Sequence, residues 1–162
     1  MAIRTPGVVP KVIYDDDSIH FDASSVGFVP WHALKGVVNQ SIRKSAKYRH
    51  QDPLGDREER EKTSMQFNLK YLLAITNSSY AREWLKGKRR SKMHVYPDDW
   101  KQLPVAPISP EAQKPFIALV DKILREYKQQ SYPLAAASAE KVAAWERELD
   151  EMVDALYKSG SV

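Results

Sequence analysis

The sequence contains no cysteine, which excludes a disulfide framework and any zinc site built on thiolates. No apolar run approaches the roughly 18 residues needed to cross a bilayer. No apolar signal-peptide core follows Met1 either, so the expectation is a cytoplasmic protein that meets no membrane. Glycine is scarce, six in 162 residues, and forms no phosphate-wrapping loop; HExxH, GxSxG and the kinase motifs are missing as well. The four histidines, His20, His32, His50 and His94, lack metal-ligand spacing. Asp15, Asp16 and Asp17 are adjacent, so their carboxylates diverge in a turn instead of alternating as in a calcium loop. In HQDPLGDREEREK the triplet ending at Lys62 begins with Arg60, where a metal-dependent nuclease of the restriction type needs an acid. No catalytic residue, metal or cofactor is therefore expected in this chain.

Segregated charge is what the chain does have. Lys35, Arg43, Lys44, Lys47 and Arg49 fall between Lys35 and Gln51 without one acid, and Lys86, Lys88, Arg89, Arg90 and Lys92 follow the same rule over seven residues. Taking those ten from the 25 Lys and Arg leaves 15 cations against 21 Asp and Glu, so two basic patches sit on an otherwise acidic chain. That pattern suits a polyanionic partner.

At 162 residues the chain can bury one domain's core. Val8–Tyr14, Ser18–Ala23 and Gly27–Trp31 are rich in β-branched and aromatic residues or alternate in polarity, and predict strands. Lys35–Arg49 predicts a short helix with one cationic side carrying Asn39, Gln40, Arg43, Lys44 and Lys47, and His50–Lys62 an exposed loop. Leu69–Leu85 predicts one core helix capped by Asn68, with Leu69, Leu72, Leu73, Tyr80 and Trp84 as its inner face. Met93–Tyr96 predicts a strand, with Trp100 turned into the core and Leu103–Ile108 extended by its two prolines. Ser109 and Pro110 then open a helix with Phe116, Val120, Ile123 and Tyr127 on one stripe. A last helix carries Val142, Trp145, Leu149, Met152 and Leu156 at lengthwise-packing spacing.

The run YLLAITNSSYAREWL, the basic turn and WKQLPVAPI after it, and EAQKPFIALVDKIL beyond, resemble the C-terminal specificity domain of TaqI-like proteins. Those are type II restriction enzymes and adenine-specific DNA methyltransferases, and the resemblance extends from about Lys11 to Leu156 and Tyr157. It implies the role of target recognition, not any individual base contact. The methyltransferase half of such proteins carries a Gly-containing cofactor loop and an Asn-Pro-Pro-aromatic motif; this chain has no Pro-Pro and no such loop.

The expected fold is α+β: a small, mostly antiparallel sheet packed on a central helix over residues 8–108, followed by an antiparallel helical hairpin over residues 109–158. The expected function is sequence-specific recognition of double-stranded DNA in a restriction-modification system, without catalysis. Methyl transfer or cleavage falls to a partner domain or subunit. Cations of both patches, with Arg49 and Lys92 at their far ends, would hold phosphates; Arg89 and Arg90 could read guanine, and Asn39 or Gln40 adenine. The rival is a protein-interaction module acting through the C-terminal hairpin, whose residues 131–162 carry six acids against three cations.

Overall fold

The computed structural model describes residues 2–3, 11–17, 20, 25–42, 56–88, 95–130 and 133–159. Their contacts divide the chain into two units, Met1–Gly27 with Asn68–Val162, and Phe28–Phe67.

In the smaller unit the predicted third strand is extended only to Pro30. Trp31–Leu34 then form a 3₁₀ turn, closed by Gly36 at φ 79°, a left-handed conformation open to glycine. Part of the expected loop His50–Lys62 is a helix, α1 (Arg57–Ser64). Asp56 and Glu59 form a reciprocal capping box: Asp56 Oδ1 accepts from the Glu59 N–H at 3.1 Å and Glu59 Oε2 from the Asp56 N–H at 2.9 Å. Arg60 is only 7 % exposed and its guanidinium stands 5.3 Å from the Trp31 ring centre. Arg57 donates to the Leu34 and Val37 carbonyls and pairs with Glu61 at 2.8 Å. Polar bridges, not apolar burial, join the turn to the helix: no hydrophobic side chain described in this unit is buried.

The larger unit is helical. Asn68 caps α2 (Leu69–Asn77) by accepting from the Lys70 N–H at 2.9 Å. The single helix expected over Leu69–Leu85 is broken at Ser78, whose backbone is extended (ψ 160°). The Ser78 hydroxyl donates to the Ile75 carbonyl at 2.7 Å and accepts from the Ala81 N–H at 3.2 Å. One side chain thus closes α2 and opens α3 (Ser79–Lys88). Serine and asparagine compete for backbone groups in this way, which is why Asn77-Ser78-Ser79 interrupts the helix. The break also re-aims the inner face: Tyr71, Ala74 and Ile75 of α2 and Ala81 and Leu85 of α3 are buried, while Leu69 is exposed.

After the one-turn α4 (Pro97–Trp100), the chain enters α5 (Pro110–Gln129), capped by Ser109, and then α6 (Ala136–Lys158). Helix α2 packs on α5 and α6, and α5 and α6 pack on each other. Trp100, Leu103, Ala106, Phe116, Leu119, Val120, Val142, Leu149 and Val153 complete the core. The buried stripes run through Gln113, Phe116, Leu119 and Val120 in α5 and through Ser138, Val142, Leu149 and Val153 in α6. Relative to the spacing read in sequence they are rotated, so that Tyr127 is exposed and Trp145, Met152 and Leu156 are not among the buried residues.

The α+β expectation is overturned. Among the described residues the only β-strands are β1 (Ala2–Ile3) and β2 (Ser25–Val26), paired over two residues each, beside an isolated bridge at Val12; this is too little to pack as a sheet on a helix. Side chains supply many of the hydrogen bonds a sheet would have supplied. The Val12 N–H donates to Asn77 Oδ1 and the Val12 carbonyl accepts from Asn77 Nδ2, both at 2.8 Å. In the extended segment 103–108, the Pro104 and Ala106 carbonyls accept from the hydroxyls of Tyr157 (2.7 Å) and Tyr71 (2.8 Å). The Tyr96 N–H, expected in a strand, donates to buried Asp99 at 2.7 Å and starts α4 instead. Val8–Pro10, most of Ser18–Ala23, and Met93 and His94 lie outside the described residues.

Candidate nucleic-acid interface

The basic end of α3 is built from the core outward. Ala81 and Leu85 are fully buried and fix the helix axis. At its first turn, Asp150 of α6 accepts from the Ser79 N–H at 2.7 Å and faces Arg82 at 3.6 Å, while Arg82 donates to the Asn77 carbonyl at 2.6 Å. With the helix so held, its last turn projects Lys86 and Lys88 into solvent on either side of Gly87. The position at a helix C-terminus already favours cations, because the carbonyl ends carry partial negative charge.

The two lysines are not equivalent. Lys86 Nζ lies 2.6 Å from Glu83 Oε1, one turn back, so its charge is partly neutralised on its own helix. Lys88 forms no ion pair with any described residue. The expectation of an uncompensated cluster therefore changes at Lys86, and the Glu83–Lys86 spacing of three that causes it was open to reading in the sequence. Arg89, Arg90 and Lys92 lie outside the described residues.

The other patch belongs to the smaller unit. Lys35 is exposed, and residues 40–42 begin a helical turn. Asn39 Oδ1 accepts from the Ile42 N–H at 2.9 Å, so Asn39 is the cap of that turn. Bidentate reading of adenine needs both ends of the carboxamide, and the oxygen is engaged; of the two candidate adenine readers, Gln40 is exposed and its side chain has no partner among the described residues. Arg43, Lys44, Lys47 and Arg49 lie outside the described residues.

No family model, curated protein or solved structure matches this chain. The expected resemblance to TaqI-like specificity domains finds no support in these comparisons. YLLAITNSSYAREWL forms α2, the Ser78 break and α3, and EAQKPFIALVDKIL forms the first four turns of α5.

Elsewhere among the described residues, no three His, Asp or Glu side chains are grouped to hold a metal ion. No described helix is long and apolar enough to cross a membrane. His32 Nδ1 lies 3.0 Å from Ser64 Oγ, but that hydroxyl also accepts from the His32 backbone N–H at 2.9 Å and donates to the Glu61 carbonyl at 2.9 Å, a structural knot with no room for a nucleophile's role. A cleft of about 80 Å³ opens between α2, α5 and α6; it is far below the several hundred Å³ of a cofactor site. Burial raises the hydroxyl pKa of Tyr71 to about 12 and pushes those of Tyr80 and Tyr157 up as well. All three stay neutral at physiological pH, Tyr71 and Tyr157 as hydrogen-bond donors to the 103–108 segment and Tyr80 stacked on Tyr157 at 3.7 Å.

Proposed function

We propose that this chain recognises double-stranded DNA as the target-recognition part of a restriction-modification protein of the adenine-methylating kind, and that methyl transfer or cleavage belongs to another domain or subunit. The observation that carries this reading is the end of α3: a helix anchored by buried Ala81 and Leu85 leads into five cations in seven residues, of which Lys88 is exposed and unpaired among the described residues. A rigid helix that delivers positive charge to solvent is suited to phosphate, because neutralised phosphates release counterions and the gain grows with each phosphate met. Arg89 and Arg90 are the guanine readers in this proposal, and Gln40 the adenine reader.

The test is the salt dependence of binding to long duplex DNA at low ionic strength. Replacing Lys88 and Lys92 by alanine is expected to flatten the plot of log affinity against log salt by about one for each phosphate no longer neutralised, for all sequences alike. Replacing Arg89 or Arg90 should cost about 1–3 kcal/mol at a single base position if it reads guanine. Unchanged affinity and slope in all of these variants would refute the role of this segment. The rival reading, in which the hairpin's apolar seam binds a protein, has less to work with: Phe116, Val120, Val142, Leu149 and Val153 are buried within their own unit.

A further inference from the structure

The cleft between α2, α5 and α6 has an aliphatic floor and an acidic lip. Leu73 and Ala74 of α2, Val120 and Ile123 of α5 and Leu149 of α6 line it. Glu146 and Asp150, one turn apart on α6, stand at the lip. Their roles differ. Asp150 is engaged by the Ser79 N–H at 2.7 Å and by Arg82 at 3.6 Å, so its charge is answered within the fold. Glu146 is exposed and forms no ion pair or hydrogen bond with any described residue. Counting Glu146, Asp150 and Arg82 together, the mouth of an apolar cleft carries one net negative charge.

We infer that this cleft is a docking site for a lysine side chain of a partner protein, the alkyl stem lying on the aliphatic floor and the ammonium on Glu146. Size selects the class of ligand. About 80 Å³ holds a short alkyl chain and nothing as large as a nucleobase or cofactor. Chemistry selects lysine over arginine, because the lining contains no aromatic face on which a guanidinium could stack, whereas a compact ammonium on a flexible four-carbon stem needs only one carboxylate. The inference uses none of the DNA-facing cations and stands apart from the function proposed above.

The experiment titrates the full chain with Nα-acetyl-lysine amide and with its norleucine counterpart, which keeps the stem and lacks the charge, following the methyl NMR signals of Leu73, Ile123 and Leu149. The lysine compound is expected to shift these signals and to bind roughly two- to fivefold tighter than the norleucine compound, the range of one exposed ion pair. In Glu146→Gln, a surface change that leaves the core intact, that preference should vanish while the weak norleucine response stays. Equal binding of the two compounds, a preference that survives in Glu146→Gln, or shifts that avoid the cleft methyls would each overturn the inference. The arginine analogue provides the control for selectivity: binding as tight as lysine's would overturn the choice of lysine as the occupant.

Discussion

Asn77 does for the N-terminal segment what a neighbouring strand does in a sheet, meeting both polar groups of Val12 with one carboxamide. The two halves of that interaction can be separated. Asn77→Asp keeps the acceptor for the Val12 N–H and loses the donor to its carbonyl, whereas Asn77→Ala loses both. Hydrogen exchange at the Val12 amide should therefore stay slow in the first variant and become fast in the second; equal exchange in the two would mean that the amide is protected by something else. Tyr71 offers a pH test. Its pKa is raised to about 12 by burial, above its ordinary value near 10, so the folded state favours the protonated hydroxyl. Its contribution is whole below about pH 10 and is lost as pH rises toward 12, because unfolding then releases a proton that folding must restore. Tyr71→Phe should weaken the protein at neutral pH by about 1 kcal/mol, through loss of the bond to the Ala106 carbonyl, and should also flatten its decline above pH 10. An alkaline decline as steep as the parent's would place the sensitivity at Tyr80 or Tyr157, whose hydroxyls shift in the same direction.

At the level of elements, helical spacing made α5 and α6 legible as helices but not the break at Ser78 or the rotation of their buried stripes, and short segments judged by composition misled. The cap at Ser109 with Pro110 behind it, and the cap at Asn68, could be read because each side chain is required by its position. The strands could not be judged, since β-branched residues mark extended chain, and extended chain here is satisfied by Asn77, Tyr71, Tyr157 and Asp99 from other parts of the fold. Asp56 and Glu59 carry a capping-box signal three residues apart, obscured in a segment dominated by charge. The helix they start can be tested by proteolysis. Trypsin should cut slowly at Arg60, whose side chain is buried over Trp31, and Asp56→Ala should speed that cleavage by fraying α1; rapid cutting at Arg60 in the parent would contradict the helix. The rotated stripe of α6 makes a second distinction. Leu149→Ala should cost about 2–5 kcal/mol, because the side chain is buried and its loss would enlarge the cleft it lines, and should cost more than Trp145→Ala, since Trp145 is only half-buried. Denaturant midpoints in the reverse order would restore the stripe drawn from heptad spacing alone.

Over the whole molecule, the segregation of charge was visible in the sequence, but the state of each charge was not. A run of cations shows where positive charge is concentrated; the spacing of Glu83 and Lys86 hints at their pairing, but only packing shows that Arg60 is spent on Trp31. The Glu83–Lys86 pair gives the sharpest test of whether the end of α3 meets DNA. Both side chains are solvent-exposed, so their pairing is worth only about 0.3–0.5 kcal/mol to the helix, and breaking it should leave the fold intact. Glu83→Gln frees the Lys86 ammonium and removes a carboxylate that would repel phosphate. If this end of the helix lies on the duplex, Glu83→Gln should tighten binding at low salt and steepen the salt slope by up to about one. Lys86→Ala should matter little in the parent and should cancel the gain in the Glu83→Gln background, a coupling that the double-mutant cycle isolates. A slope unchanged by Glu83→Gln but lowered by Lys88→Ala would confine the interface to residues beyond Lys86. A slope unchanged by both would take α3 off the DNA and leave the Lys35–Arg49 patch of the smaller unit to carry the proposal.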